Sequence, residues 1–349
     1  MDKKFVMGIA AMAALTLVSC SSDDLDSFSD NSSKNEAISF DGYLGRSAVA
    51  VNGTRGSVET IDLLKTDGFG VFSTHTGEAS FSDFNNQQVT NKYSKWTYSP
   101  IKYWPTTPGN INFLAYAPYD KKYTTLTGNS FVFDVAHDVA KQKDLLWAND
   151  KAEINTAITS TSNKVTFHFA HALSKLGYTI KLHEIYPSAK FTLNKITLAG
   201  SPDENKKAFY TKGIIDLSTA KDATTGLWNT SSSDKQNFDW VSESESYKVE
   251  SKDPNESKNY LFVIPQDFSQ TTAGADELYI IVKYTINYDG GGEQTNTVYK
   301  KLTTNFLQGK AYKINLTIGL PIEFDADVTP WETEIGIPED GNDSWDGIK

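Results

Sequence analysis

The stretch Ile280-Ile281-Val282-Lys283-Tyr284-Thr285-Ile286-Asn287-Tyr288 decides the fold class. Ile280, Val282, Tyr284, Ile286 and Tyr288 recur at every second position. A strand turns alternate side chains to opposite faces, so this period places all five on one face. Asp289-Gly290-Gly291-Gly292 then supplies a turn, and Thr297 to Leu302 returns as a hairpin partner.

The same alternation recurs along the chain. Tyr312, Ile314, Leu316 and Ile318 show it, as do Val165, Phe167 and Phe169, and Phe131 with Phe133. Phe69 and Val71, flanked by Phe72, read as another strand. Phe191 and Leu193 fall out of step with Ile196 and Leu198, the signature of a bulge. Tyr260 to Ile264 is a short apolar run ended by Pro265, which suits a buried strand. Helical periodicity is scarce. Aromatics make up 12% of the chain, and rings fit a pleated, half-buried surface, so the composition points the same way. Short strands separated by Gly, Pro, Asn and Asp clusters indicate an all-β protein of antiparallel sandwiches.

The N-terminus carries a different signal. Lys3 and Lys4 precede an uncharged apolar run from Phe5 to Val18. At about 14 residues the run is too short to span a bilayer as a helix and reads as the core of a signal peptide. It ends in Leu17-Val18-Ser19-Cys20, which looks like a lipoprotein peptidase box. Cys20, the single cysteine, is the expected lipidation site, whose acyl chains anchor the mature protein to a membrane. The acidic run Ser21-Ser22-Asp23-Asp24 is either a surface-export signal or a solvated tether. With Cys20 acylated no disulfide remains, and stability rests on core burial.

After residues 1–19 are removed, about 330 residues remain, more than one core usually serves, so two domains are expected. The boundaries read as a tether over 20–36, a first sandwich over 37–163, a second over 164–338, and a mobile tail over 339–349. The polar Asn155 to Lys164 segment marks the junction. A net charge of −11 without Lys/Arg clusters argues against nucleic acid.

Catalytic groupings are missing. The histidines are His75, His137, His168, His171 and His183. His168 and His171, three apart on a strand, face opposite sides and cannot share a metal. There is no Gly-x-Ser-x-Gly elbow and no phosphate loop. Asp340 to Asp346 lacks the glycine and distal Glu of a calcium loop. No enzyme activity, metal or cofactor is expected.

Seven stretches together resemble the fimbrillin-like proteins of Bacteroidota. They are Phe69-Gly-Val-Phe72, Lys95-Trp-Thr-Tyr-Ser-Pro100, Tyr103-Trp-Pro105, Asn112-Phe-Leu-Ala-Tyr-Ala-Pro118, Gln142-Lys-Asp-Leu-Leu-Trp-Ala148, Val165-Thr-Phe-His-Phe-Ala-His-Ala-Leu-Ser-Lys-Leu176 and Leu307-Gln-Gly-Lys-Ala-Tyr312. Their order and spacing cover about residues 36 to 331. Trp96, Tyr98, Tyr103 and Trp104 bracket Pro100 and Pro105 and are expected in the core, as is Trp147.

The resemblance implies a pilus subunit of two transthyretin-like sandwiches. Such a subunit reaches the outer membrane as a lipoprotein. A trypsin-like protease removes an N-terminal strand, and a strand from another fimbrial subunit fills the groove. Ala37-Ile38-Ser39-Phe40 is the expected removable strand, with Ile38 and Phe40 on one face. The cut falls after Arg55 or Arg46, or both are plain loop arginines. Arg55 fits better, because Ile61, Leu63 and Phe69-Gly70-Val71 follow it as the family's next strand does. Ile322, Phe324, Ala326 and Val328, ended by Pro330 and Trp331, form either a donor strand or simply the last strand of the second domain. The competing reading is a monomeric surface lipoprotein that binds glycan through exposed Trp228, Trp240 and Trp345.

Overall fold

A computed structural model describes residues 37–330, apart from 45–58, 77–82, 106–108, 155–163, 183–189, 221–224, 231–233, 251–254, 257–259, 289 and 319–322. The expected alternation becomes strands almost throughout. In the first half these are β1 (Ser39–Leu44), β2 (Phe69–Thr76), β3 (Gln87–Lys92), β4 (Lys95–Thr97), β5 (Gly109–Ala117), β6 (Ser130–Asp134), β7 (Leu146–Ile154) and β8 (Lys164–His171). β9 (Ser174–Leu182) and β10 (Lys190–Ala199) open the second half.

Seven strands form one sheet in the order β1-β8-β7-β5-β2-β3-β4. The segment after β4 curls back until Tyr103 bridges Ala37, just ahead of β1. The sheet is thereby nearly closed into a barrel. β8 begins one residue past the expected domain junction, yet it lies between β1 and β7.

The centre of this sheet is buried on both faces. Val71, Phe113, Ala115, Leu146 and Ala148 point into a core shared with Ile38, Phe40 and Phe167. Phe72, Leu114, Tyr116 and Trp147 point the other way, into a second core built with Leu176, Ile196, Trp240 and Ile280. Two-sided burial explains why Phe113-Leu-Ala-Tyr-Ala117 is continuously apolar where a half-exposed strand would alternate.

The second core lies between two five-stranded sheets. In one, β10 pairs with Tyr279–Asn287, which forms the expected hairpin with Glu293–Lys301. The register slips between Leu193 and Lys195, where the sequence shows its break in step. In the other, Lys310–Ile318 runs parallel to β9, and the strand Glu323–Pro330 pairs antiparallel to it at the edge. β6 leaves the first half and pairs with Lys212–Asp216.

Three expectations change. Ile61 and Leu63 lie in a short helix, α1 (Ile61–Asp67), and not in a strand. The Thr60 hydroxyl accepts from the Leu63 N–H at 3.2 Å, and Gly68 closes the helix at φ 72°, a conformation that favours glycine. Tyr103 is 54% exposed and so is no core residue, although Trp104 beside it is buried and Trp147 is 1% exposed. Trp240, read as an exposed loop residue, is 1% exposed in the strand Phe238–Val241, edge-on to Tyr178. Phe238, two residues earlier, is buried in the same core and Asp239 between them is exposed, so alternation turns Trp240 inward.

Candidate functional site

β1 is held by few neighbours but fills much space. Its sheet partner is β8, parallel, with Phe40 opposite Val165, Gly42 opposite Phe167 and Leu44 opposite Phe169. On its other side hydrogen bonds hold its start. The Ile38 N–H donates to the Lys102 carbonyl at 2.8 Å, and the Tyr98 hydroxyl donates to the Ile38 carbonyl at 2.7 Å. Burial pushes the Tyr98 hydroxyl up to about 12, so it remains a donor at any physiological pH.

The inward face of β1 completes the first core. Ile38 and Phe40 are both buried. The Phe40 ring stacks on Phe167 at 5.8 Å and meets Phe84 edge-on at 5.2 Å and Phe113 at 6.0 Å. Burying each such side chain contributes about 1.5–3 kcal/mol. At Gly42 the wall closes in. A Cβ there would sit 3.2 Å from the Phe69 ring, 3.3 Å from Phe169 and 3.5 Å from Trp96. Leu44, half-buried, packs on the same core. On the outward face Asp41 pairs with Lys164, and Tyr43 stacks on His168. Without β1, a furrow lined by aromatic rings would face water beside the free edge of β8.

The expected removable strand is therefore β1 with its lead-in, and the structure brings Ile38 and Phe40 together at its heart. Arg46 and Arg55 lie outside the described residues, as do Cys20, Ile322, Trp331 and Trp345. Phe324, Ala326 and Val328 stand opposite Leu316, Ile314 and Tyr312 in their own sheet. The half-buried Trp228 donates its indole N–H to the Ala172 carbonyl at 2.7 Å.

One polar cluster escaped the sequence reading. Asp144 and His171, each from a quoted motif, meet in the interior with Oδ2 2.7 Å from Nδ1. The same Asp144 oxygen accepts the Glu59 backbone N–H at 3.1 Å. Glu59 is 3% exposed, and its Oε1 has no hydrogen-bond partner among the described residues. Burial, then the charges of Asp144 and Asp67, push its carboxyl up to about 8. These groups pin the chain at Glu59, just ahead of α1. His168 is exposed and His171 buried on opposite faces of β8. No group of three His, Cys, Asp or Glu able to hold a metal occurs among the described residues.

Comparison with known proteins gives three findings. The sequence pattern described as fimbrillin-like matches residues 54–331. The fimbrium subunit Fim1C of Phocaeicola vulgatus is 28% identical over 199 residues, which cover 48% of this chain and 49% of that protein. The matched region thus spans about half the length of this curated relative. A crystal structure of a fimbrial protein from Bacteroides vulgatus ATCC 8482 superposes with a TM-score of 0.57 at 19% identity, covering 85% of this chain and all of that one. At that identity the likeness speaks for the fold alone.

Proposed function

The chain belongs to the fimbrillin-like family, and from that premise we propose that it is a structural subunit of a surface fimbrium, joined to its neighbours by strand exchange. It is a building block for adhesion and not an enzyme. The reading carries a lipid anchor at Cys20 in the outer membrane. A trypsin-like protease then cuts after Arg55, with Arg46 as the alternative.

The observation that carries the proposal is β1 itself. It is a strand with one buried face and, among the described residues, one sheet partner, and it is joined to the rest through the segment containing both arginines. Cutting that segment leaves β1 attached by non-covalent contacts alone. The open edge of β8 and the ring-lined furrow then suit a strand from a neighbouring subunit, because backbone hydrogen bonds supply affinity and alternate side chains fill pockets. Asp144, holding the Glu59 N–H, keeps the new N-terminus docked. The last strand, with Ile322, Phe324, Ala326, Val328 and Trp331, is the candidate donor. We read the two cores as the two transthyretin-like sandwiches of such a subunit.

Glycan binding through exposed tryptophans loses one of its three candidates, since Trp240 is core. The deciding measurement is the N-terminus and mass of the protein from intact cells, together with its oligomeric state. A chain that begins at Gly56 or Ser47 and sediments as fibres is expected. A monomer still starting at acylated Cys20 would sink the proposal.

A further inference from the structure

The strand Glu293–Lys301 stands at the edge of its sheet. It pairs with Tyr279–Asn287 over all nine residues without a register break. Among the described residues no strand pairs with its other side. The two ends of the ladder fix which way its backbone points. The Tyr288 N–H donates to the Gly292 carbonyl at 3.1 Å, and the Leu302 N–H donates to the Leu278 carbonyl at 2.9 Å. Antiparallel pairs alternate between bonded and unbonded, so the even-numbered residues from Gln294 to Lys300 bond inward. Glu293, Thr295, Thr297, Tyr299 and Lys301 therefore aim their N–H and C=O groups out of the edge. Their side chains share one water-exposed face, while Val298 packs on the second core from the other. Such edges are usually guarded by shortness, proline, a bulge or lysines along the strand. β4 and Phe238–Val241, also at sheet ends, have three and four residues. This strand has nine, without proline or glycine, and carries its charges at its ends: Glu293 at one, Lys300 and Lys301 at the other.

We propose that this edge is a side-to-side docking surface for a second copy of the chain, the two strands pairing antiparallel about a two-fold axis at Thr297. The proposal lies outside strand exchange and does not depend on it. Charge selects both partner and register. With Thr297 facing its own counterpart, Glu293 of each copy stands opposite Lys301 of the other. Thr295 stands opposite Tyr299, which is 60% exposed in the single chain. Thr–Thr and aromatic–β-branched pairs across strands are favourable. Between these bonded pairs, Gln294 meets Lys300 and Asn296 meets Val298. Glu277 already holds the Lys301 ammonium at 2.6 Å, and an ammonium with three donors takes a second carboxylate.

Other arrangements lose these matches. Centring the axis on Thr295 or Tyr299 shortens the ladder and removes both Glu–Lys pairs. A parallel pairing in register sets Glu293 on Glu293 and Lys301 on Lys301, and like charges side by side are destabilising. The antiparallel pairing at Thr297 satisfies every outward backbone group of the strand and joins two sheets into one. A single strand pair is smaller than the about 1,600 Å² of a standard interface, so one contact alone is weak. It gains strength where many copies are arrayed side by side, because each further contact then forms at high effective concentration.

The test uses the full, uncut chain with Cys20→Ser, so that an added thiol is the sole one. Thr297→Cys in that background should give a disulfide-linked dimer on mild oxidation. Bonded antiparallel partners have Cα atoms about 5.5 Å apart, within a disulfide's reach. Thr295→Cys or Tyr299→Cys alone would lie about 14 Å from its own counterpart and should stay unlinked. Sedimentation of the chain without an added cysteine should show a monomer–dimer equilibrium, which Glu293→Lys weakens several-fold. Thr297→Pro removes an outward N–H and no bond to Tyr279–Asn287, so the fold, checked by circular dichroism, should hold while association is lost. No dimer from Thr297→Cys, linkage through position 295 or 299 as readily as through 297, or unchanged association in a folded Thr297→Pro chain would overturn the proposal. None of these outcomes bears on strand exchange, which uses β1 and a cut chain.

Discussion

Asp144 Oδ2 lies 2.7 Å from His171 Nδ1, with both side chains almost completely shielded from water. The two residues are 27 apart in sequence, one ahead of β7 and one at the end of β8. Their contact ties these neighbouring strands together and, through the Glu59 N–H, anchors the start of α1. A buried carboxylate stripped of its partner is costly, at about 3–5 kcal/mol. His171→Ala should therefore destabilise the full chain by about that amount, measured by urea unfolding. Asp144→Asn should cost less, because it keeps the side chain's shape and an oxygen that can accept the Glu59 N–H.

Glu59 gives a pH signature. Its carboxyl titrates near 4.5 when unfolded and near 8 when folded. Between those values the folded state holds a proton that the unfolded state has released. The stability is thus fully present below about pH 4.5 and is lost as the pH rises through about 8. Thermal unfolding across that range should show a falling Tm, and Glu59→Gln should flatten the fall. An unchanged slope in the variant would assign the dependence elsewhere.

Phe40 separates the uncut chain from the polymer. Truncating a buried Phe costs about 3–5 kcal/mol, so Phe40→Ala should lower the stability of the uncut chain by that much. Once the strand has been removed and replaced, the same substitution should leave fibre stability unchanged. Chemical unfolding of the monomer and dissociation of fibres measure the two.

Tyr98 holds the start of β1 through one hydroxyl. Tyr98→Phe keeps the ring against Phe40 and Phe84 but removes the bond to the Ile38 carbonyl. A loss of about 1 kcal/mol is expected. Hydrogen exchange should quicken in β1 more than in β5, where no contact changes.

Trp240 sits in the second core, edge-on to Tyr178 at 5.0 Å. Trp240→Ala should cost about 3–5 kcal/mol of stability. A glycan array probed at a temperature where the variant stays folded should show no change attributable to this residue.

The sequence by itself determined the all-β class, because a period of two is a local property that survives without knowledge of neighbours. Ile280 to Tyr288, the break in step between Leu193 and Ile196, and the opposite faces of His168 and His171 were all legible on that ground. The apolar Ile38 and Phe40 also announced a buried strand. Other features were decided by contacts between residues far apart in the chain. Nothing local says that β1 runs parallel to β8, that the sheet curls until Tyr103 meets Ala37, or that β5 is covered on both faces. Glu59 and Asp144 look like surface carboxylates until α1, β7 and β8 close around them, and Trp240 looked like a loop residue until its neighbours formed an edge strand. Gly42 reads as a weak point within a strand. Only the rings of Phe69, Phe169 and Trp96, packed 3.2 to 3.5 Å from where a Cβ would stand, make it a place where the wall of the core closes in. Alternation is written residue by residue, whereas burial and pairing depend on which distant surfaces meet, and that is fixed when the whole chain packs.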